Sequence, residues 1–108
     1  MRVERRRTSR YPFIASVEIT DDKENARSSS QIRELSQHGC YVEMANPFPE
    51  GASVLLEICS EKEILEAYAT VAYVEPKEGM GLTFGELPPY CATVLNKWLE
   101  QAQGRRAD

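Results

Sequence analysis

Two short stretches of this chain carry side chains that could do chemistry together. The basic run Arg5-Arg6-Arg7-Thr8-Ser9-Arg10 supplies guanidinium groups, which stay charged, bond in a planar fork and lie flat on rings. The stretch Glu34-Leu35-Ser36-Gln37-His38-Gly39 supplies a carboxylate, a hydroxyl and a glycine close together. An arginine fork grips phosphate oxygens or the acceptor edge of a purine, and a glycine admits close backbone approach. Together the two stretches describe a pocket for an anionic ligand with planar bases. Neither suffices alone: Arg2 and Arg6 share the spacing of Arg6 and Arg10, and Ser-x-x-Gly is common in plain hairpin turns.

The totals favour a local site of this kind. Net charge is -4, yet five arginines fall between Arg2 and Arg10, so an acidic body carries one basic arm. Such a body repels long polyanions, while the arm can still hold a small anion. With 108 residues the chain has one domain's worth of core, and 42% hydrophobic with 28% charged residues is ordinary for a soluble globular protein. No apolar run approaches the roughly 20 residues of a membrane span, and the basic start lacks the apolar segment of a secretory signal. Cys40, Cys59 and Cys91 are odd in number and far apart, which suits a reducing cytoplasm better than a disulfide framework.

The elements that must position these residues follow from periodicity. Residues 1–10 form an arm. Phe13, Ala15, Val17 and Ile19 alternate with polar residues in a first strand, and 21–30 read as a surface loop. Gln31 to Ser36 is a second strand in which Ile32 and Leu35 do not alternate cleanly, and Cys40, Val42 and Met44 mark a third across the glycine turn. Asn46 to Gly51 is a wide loop with Phe48 capping the core; Val54, Leu56 and Ile58 mark a fourth strand. Ile64 to Val74 has alanines and glutamates that suit a helix, but its β-branched and aromatic residues and the Pro76-Lys77-Glu78-Gly79 turn predict a strand, with Leu65, Ala67, Ala69, Val71 and Tyr73 on one face. Met80, Leu82 and Phe84 pair with it as the sixth.

After Gly85 the period changes. Leu87, Cys91, Val94, Leu95, Trp98, Leu99 and Ala102 recur at three and four, so 86–103 is an amphipathic helix, opened by Pro88 and Pro89 and stopped by Gly104. Six strands in 11–85 followed by one helix predict an all-β domain, a six-stranded antiparallel barrel closed by a C-terminal helix. The cysteines and Trp98 read as core, His38 as a solvated turn residue, and the tyrosines as having no special role. One histidine and scattered thiols make no metal site, and no nucleophile, base and orienting group occur together, so no catalytic residue is assigned.

The order Arg6-x-x-x-Arg10, first strand, then Ser36-x-x-Gly39 resembles the PilZ domains, bacterial receptors for cyclic di-GMP. Gly79-Met80-Gly81-Leu82-Thr83-Phe84 resembles their last strand, and the likeness covers nearly the whole chain. It implies the barrel's closure and strand order, cyclic di-GMP as ligand, and Arg6, Arg10, Ser36 and Gly39 as contacts. Arg5, immediately before the first motif arginine, stands where a basic residue accompanies binding of a stacked ligand pair. The family's Asp or Asn falls here on Glu34, which keeps the acceptor and adds one methylene.

The leading expectation is a cytoplasmic receptor, without membrane insertion, whose arm orders on cyclic di-GMP and so alters a surface read by an unidentified effector protein. The alternative is a degenerate PilZ-like interaction module that no longer binds the nucleotide, motivated by Glu34. A small-barrel nucleic-acid binder would use the same arginines, but net acidity and the lack of a basic-aromatic face weigh against it.

Overall fold

Alternation of Phe13, Ala15, Val17 and Ile19 with polar residues produces β1 (Tyr11–Asp21), whose four apolar side chains are all buried. The computed structural model describes residues 9–23, 25–61 and 63–107. It continues with β2 (Arg27–Leu35), β3 (Gly39–Glu43), β4 (Ser53–Ser60), β5 (Glu63–Glu75), β6 (Gly79–Phe84) and α1 (Pro89–Ala107). Every strand pairing is antiparallel, and the order β1-β2-β3-β6-β5-β4 returns to β1. The six-stranded closed barrel with one C-terminal helix is the architecture expected.

Two bulges decide which side chains leave the core. In β2 the register shifts between Ile32 and Glu34, so Ile32 and Leu35 both point inward while Arg33 and Glu34 turn out. The three-residue spacing that spoils the sequence alternation is this bulge. In β5 the register shifts between Val71 and Tyr73. Val71 stays buried, but Tyr73 turns to the outer face, contrary to its expected place in line with the core residues.

The helix seals the end of the barrel where β6 runs short. β6 pairs only with Ala69–Glu75 of β5, leaving the first half of β5 without that neighbour. The Gly85 N–H donates to the Tyr68 carbonyl at 2.8 Å and the Cys91 thiol to the Glu66 carbonyl at 3.4 Å. Trp98 is buried and stacks on Phe13 with centroids 5.4 Å apart, and its indole N–H donates to Glu63 Oε1 at 3.2 Å. Lys97 reaches the other Glu63 oxygen at 2.9 Å. Among the described residues no helix is long and apolar enough to cross a membrane.

Three boundaries differ from expectation. β2 starts at Arg27, so Ser28, Ser29 and Ser30 are ladder residues opposite Ile19, Glu18 and Val17 and not loop. They show no alternation because this half of β2 extends beyond β3, whose partners begin at Gln31. The Ser30 hydroxyl donates to the Glu43 carbonyl across that step. The helix begins at Pro89 and not at 86: a residue before proline is driven out of the helical region, which excludes Pro88, while Pro89 suits the first turn. It also runs through Gly104 to Ala107; a glycine costs a helix only about 1 kcal/mol, and this one does not adopt the left-handed conformation that would end it.

Candidate ligand cleft on the outer face of the barrel

The β2–β3 connection is built by a hydroxyl. The Ser36 N–H donates to the Gly39 carbonyl at 2.9 Å, and Ser36 Oγ accepts from the N–H groups of His38 and Gly39 at 3.2 and 3.1 Å. Oγ lies 3.3 Å from the Gly39 carbonyl, to which it donates. A serine in this arrangement replaces the backbone bonds a turn lacks. Gly39 is required for a different reason: a Cβ there would lie 1.9 Å from the Leu82 carbonyl oxygen of β6. Its role is close approach of two strands, and its φ is not positive.

Arg10 comes to this turn from the start of β1. Its Nη1 donates to the Tyr73 hydroxyl at 3.2 Å and lies 3.5 Å from Glu34 Oε1, a long ion pair. The guanidinium carbon stands 6.0 Å from the Tyr73 ring centroid, the outer limit of cation–π contact. Burial works against the Arg10 charge, but the Tyr73 oxygen and the Glu34 carboxylate outweigh it and hold its pKa above the ordinary value. The cation is therefore permanent and already partly stripped of water.

Between these groups lies a cleft of about 370 Å³, lined by Arg10, Glu34, Ser36 and Gly39 together with His38, Tyr41, Tyr73, Gly81 and Thr83. Such a volume is at the lower end of small-ligand sites. Cys40 lies beneath it, and burial pushes its thiol up to about 12, so it stays protonated. Tyr41 donates to Glu75 at 2.6 Å; burial, then this bond, raise its pKa well above the usual tyrosine range.

Four of the six residues singled out from sequence thus meet in one cleft. Arg5 and Arg6 lie outside the described residues. The sequence reading missed Tyr41, Tyr73, Gly81 and Thr83. No sequence signal marks them, because Gly79 meets Tyr41 and Gly81 meets Tyr73 only through the β3–β6 and β5–β6 ladders.

The family model described as PilZ domain matches residues 4–101. The chain belongs to the PilZ domain family. Among solved structures, the PilZ domain of Escherichia coli YcgR with cyclic di-GMP superposes with a TM-score of 0.79 at 14% identity over 95% of each chain. The Bacillus subtilis inhibitor of motility MotI/DgrA gives a TM-score of 0.77 at 22% identity, over 100% of this chain and 56% of that one. E. coli YcgR in complex with cyclic di-GMP gives 0.78 at 18% identity, over 97% of this chain and 48% of that one. This PilZ domain thus spans about half the length of the last two. At these identities the likeness establishes a shared fold. No curated protein matches the sequence.

Proposed function

We propose that this PilZ domain is a receptor for cyclic di-GMP, bound in the cleft between Arg10 and the Ser36–Gly39 turn. The observation that carries the reading is the convergence of Arg10, Glu34 and the turn on one cleft. The two YcgR structures that share the fold are described as containing cyclic di-GMP. Arg10 supplies a fork for phosphate or guanine acceptors, and Glu34 an acceptor for a guanine N–H edge. Ser36 acts by holding the turn. Gly39 lets β3 close on β6, so that the turn and Thr83 face the same space.

Arg5 and Arg6 complete the site from the arm, which folds over bound ligand and offers an effector protein a changed surface. The energy for that change is the difference between ligand contacts with the arm in place and without it. The setting is the cytoplasm, where the nucleotide is made. Exchange of the amides of residues 2–10 slows at saturating ligand; unchanged exchange contradicts the arm's part.

One observation favours the second reading, a PilZ-like interaction module without nucleotide. Glu34 already occupies Arg10, so a ligand phosphate must displace a carboxylate. Isothermal titration of cyclic di-GMP separates the two: the receptor reading predicts saturable heat that weakens by about tenfold or more in affinity in Arg10→Ala, and no heat from the wild type up to the high micromolar range rejects it. If the wild type is silent and Glu34→Asp binds, the longer carboxylate is the cause of the loss.

A further inference from the structure

Among the described residues four large hydrophobic side chains are exposed. Three of them, Ile14, Ile64 and Tyr68, at 63, 50 and 60% exposure, stand on the outer face of β1, β4 and β5. The ladders order this face in rows: Ser16, Cys59 and Ile64; then Glu18, Glu57 and Glu66; then Thr20, Leu55 and Tyr68. Successive rows lie about 7 Å apart along the strands. Beyond the first row, Ile14 and Cys59 border a groove of about 490 Å³ that the buried Phe13 and Ala102 also line. A stripe of carboxylates thus runs between two apolar borders. Like charges directly opposite weaken a sheet, and among the described residues only Glu18 of the three has a cationic partner, Arg27. The barrel keeps an arrangement that costs it stability, and such departures gather at surfaces with a use.

We propose that this face docks a basic amphipathic helix of a partner protein, with aliphatic side chains on the Ile64 and Tyr68 rows and arginine or lysine on the glutamate row between them. The inference goes beyond the nucleotide reading and does not depend on it. The charge of the middle row selects a cation, and the apolar borders select a protein segment over a free ion. A second copy would bring the same carboxylates against these. The helix follows from what the face does not offer. β4, at its middle, is paired on both sides, so no backbone group there is left for an extended strand. A helix satisfies its own backbone, and residues four apart on it share a face and rise about 6 Å, close to the spacing of the rows.

The test titrates the full chain with an alanine-based helical peptide carrying leucine, arginine and leucine on successive turns of one face, and follows amide shifts. Shifts should fall on Ser16 to Glu18, Leu55 to Cys59 and Ile64 to Tyr68 and leave Ser36 to Gly39 unmoved. Glu57→Arg should weaken the peptide by about tenfold or more, the scale of a hydrogen bond to a charged group. Its melting temperature should rise, because opposite charges then face each other across the ladder. Ile64→Thr keeps the strand-favouring branch and should cost about fourfold, the scale of one buried methylene. A loss in Glu57→Arg with none in Ile64→Thr reduces the face to a loose layer of cations and overturns the proposal. So does a peptide with glutamine for arginine that binds equally well, or the absence of shifts at millimolar peptide. If the same amides move on dilution of the protein alone, the occupant is a second copy. If they move without peptide when Arg5, Arg6 and Arg7 are replaced by serine, it is the chain's own arm. Either result overturns the proposal.

Discussion

On the β3–β6–β5 side of the barrel the outward positions hold Gly39, Gly79 and Gly81, with Tyr41 over Gly79 and Tyr73 over Gly81. On the β1–β4–β5 side they hold Glu18, Glu57 and Glu66 directly opposite one another, with Ile14, Ile64 and Tyr68 exposed around them. Both faces are the same pleated sheet over the same core. On the first, missing side chains let strands and rings pack close, and one half-buried cation waits at the rim. On the second, three carboxylates crowd each other, and of these Glu18 has a cationic partner in Arg27 at 2.9 Å. An anion is drawn to the first and repelled by the second. The difference shows that location of the site is decided by residue size as much as by charge.

The largest effect should come from filling the first face. Gly39→Ala puts a methyl against the Leu82 carbonyl, a backbone atom that cannot move aside, and should destabilise the fold by about 1–3 kcal/mol in denaturant unfolding. If it folds as stably as wild type, the close approach of β3 and β6 is not what the glycine is for.

Arg10→Ala sharpens the contrast differently. Ligand affinity should drop by about tenfold or more, the scale of one charge-assisted hydrogen bond. Stability should change by only about 0–1 kcal/mol, because the Glu34 pair is long and partly exposed. Equal losses of both would make Arg10 a structural residue.

On the second face the sign reverses. Glu57 lies between Glu18 and Glu66 in the ladder, so Glu57→Thr should stabilise the fold by about 0.2–1 kcal/mol and leave ligand binding unchanged. The gain should shrink with added salt.

The smallest effect concerns the helix seal. The hydrogen bond from Lys97, opposed by burial and aided by the Trp98 N–H, holds the Glu63 carboxyl below its ordinary 4.5. A depressed carboxyl favours the fold above its ordinary range, and the contribution is lost as pH falls through the native value. Melting temperatures of wild type and Glu63→Gln should therefore differ slightly at neutral pH and converge in acid.

Much of this was legible in the sequence. The inward residues of β1, β4 and β6 follow strict alternation, and the helix stripe from Cys91 to Ala102 names its own buried face. The strand assignment of 64–74 rested on β-branched and aromatic residues against alanine and glutamate, and the ladder to β4 and β6 decides it. What stayed hidden depends on partners distant in sequence. Tyr73 looked like a core residue because a bulge is invisible to a count of two, and Ser28–Ser30 looked like loop because their neighbour is β1 alone. The resemblance implies Ser36 as a ligand contact, and no count of residues shows that its hydroxyl is bonded within its own turn. Arg10 and Glu34 are far apart in the chain, and only the fold makes them partners.

The central claim is that the ligand occupies the glycine and tyrosine face beside Arg10. Amide shifts recorded during titration with cyclic di-GMP test it most directly. The account predicts large shifts at Arg10, Glu34 to Gly39, Tyr73 and Gly81 to Thr83, with Glu18, Glu57 and Glu66 unmoved. Shifts confined to the acidic face, or spread evenly over both, would contradict it.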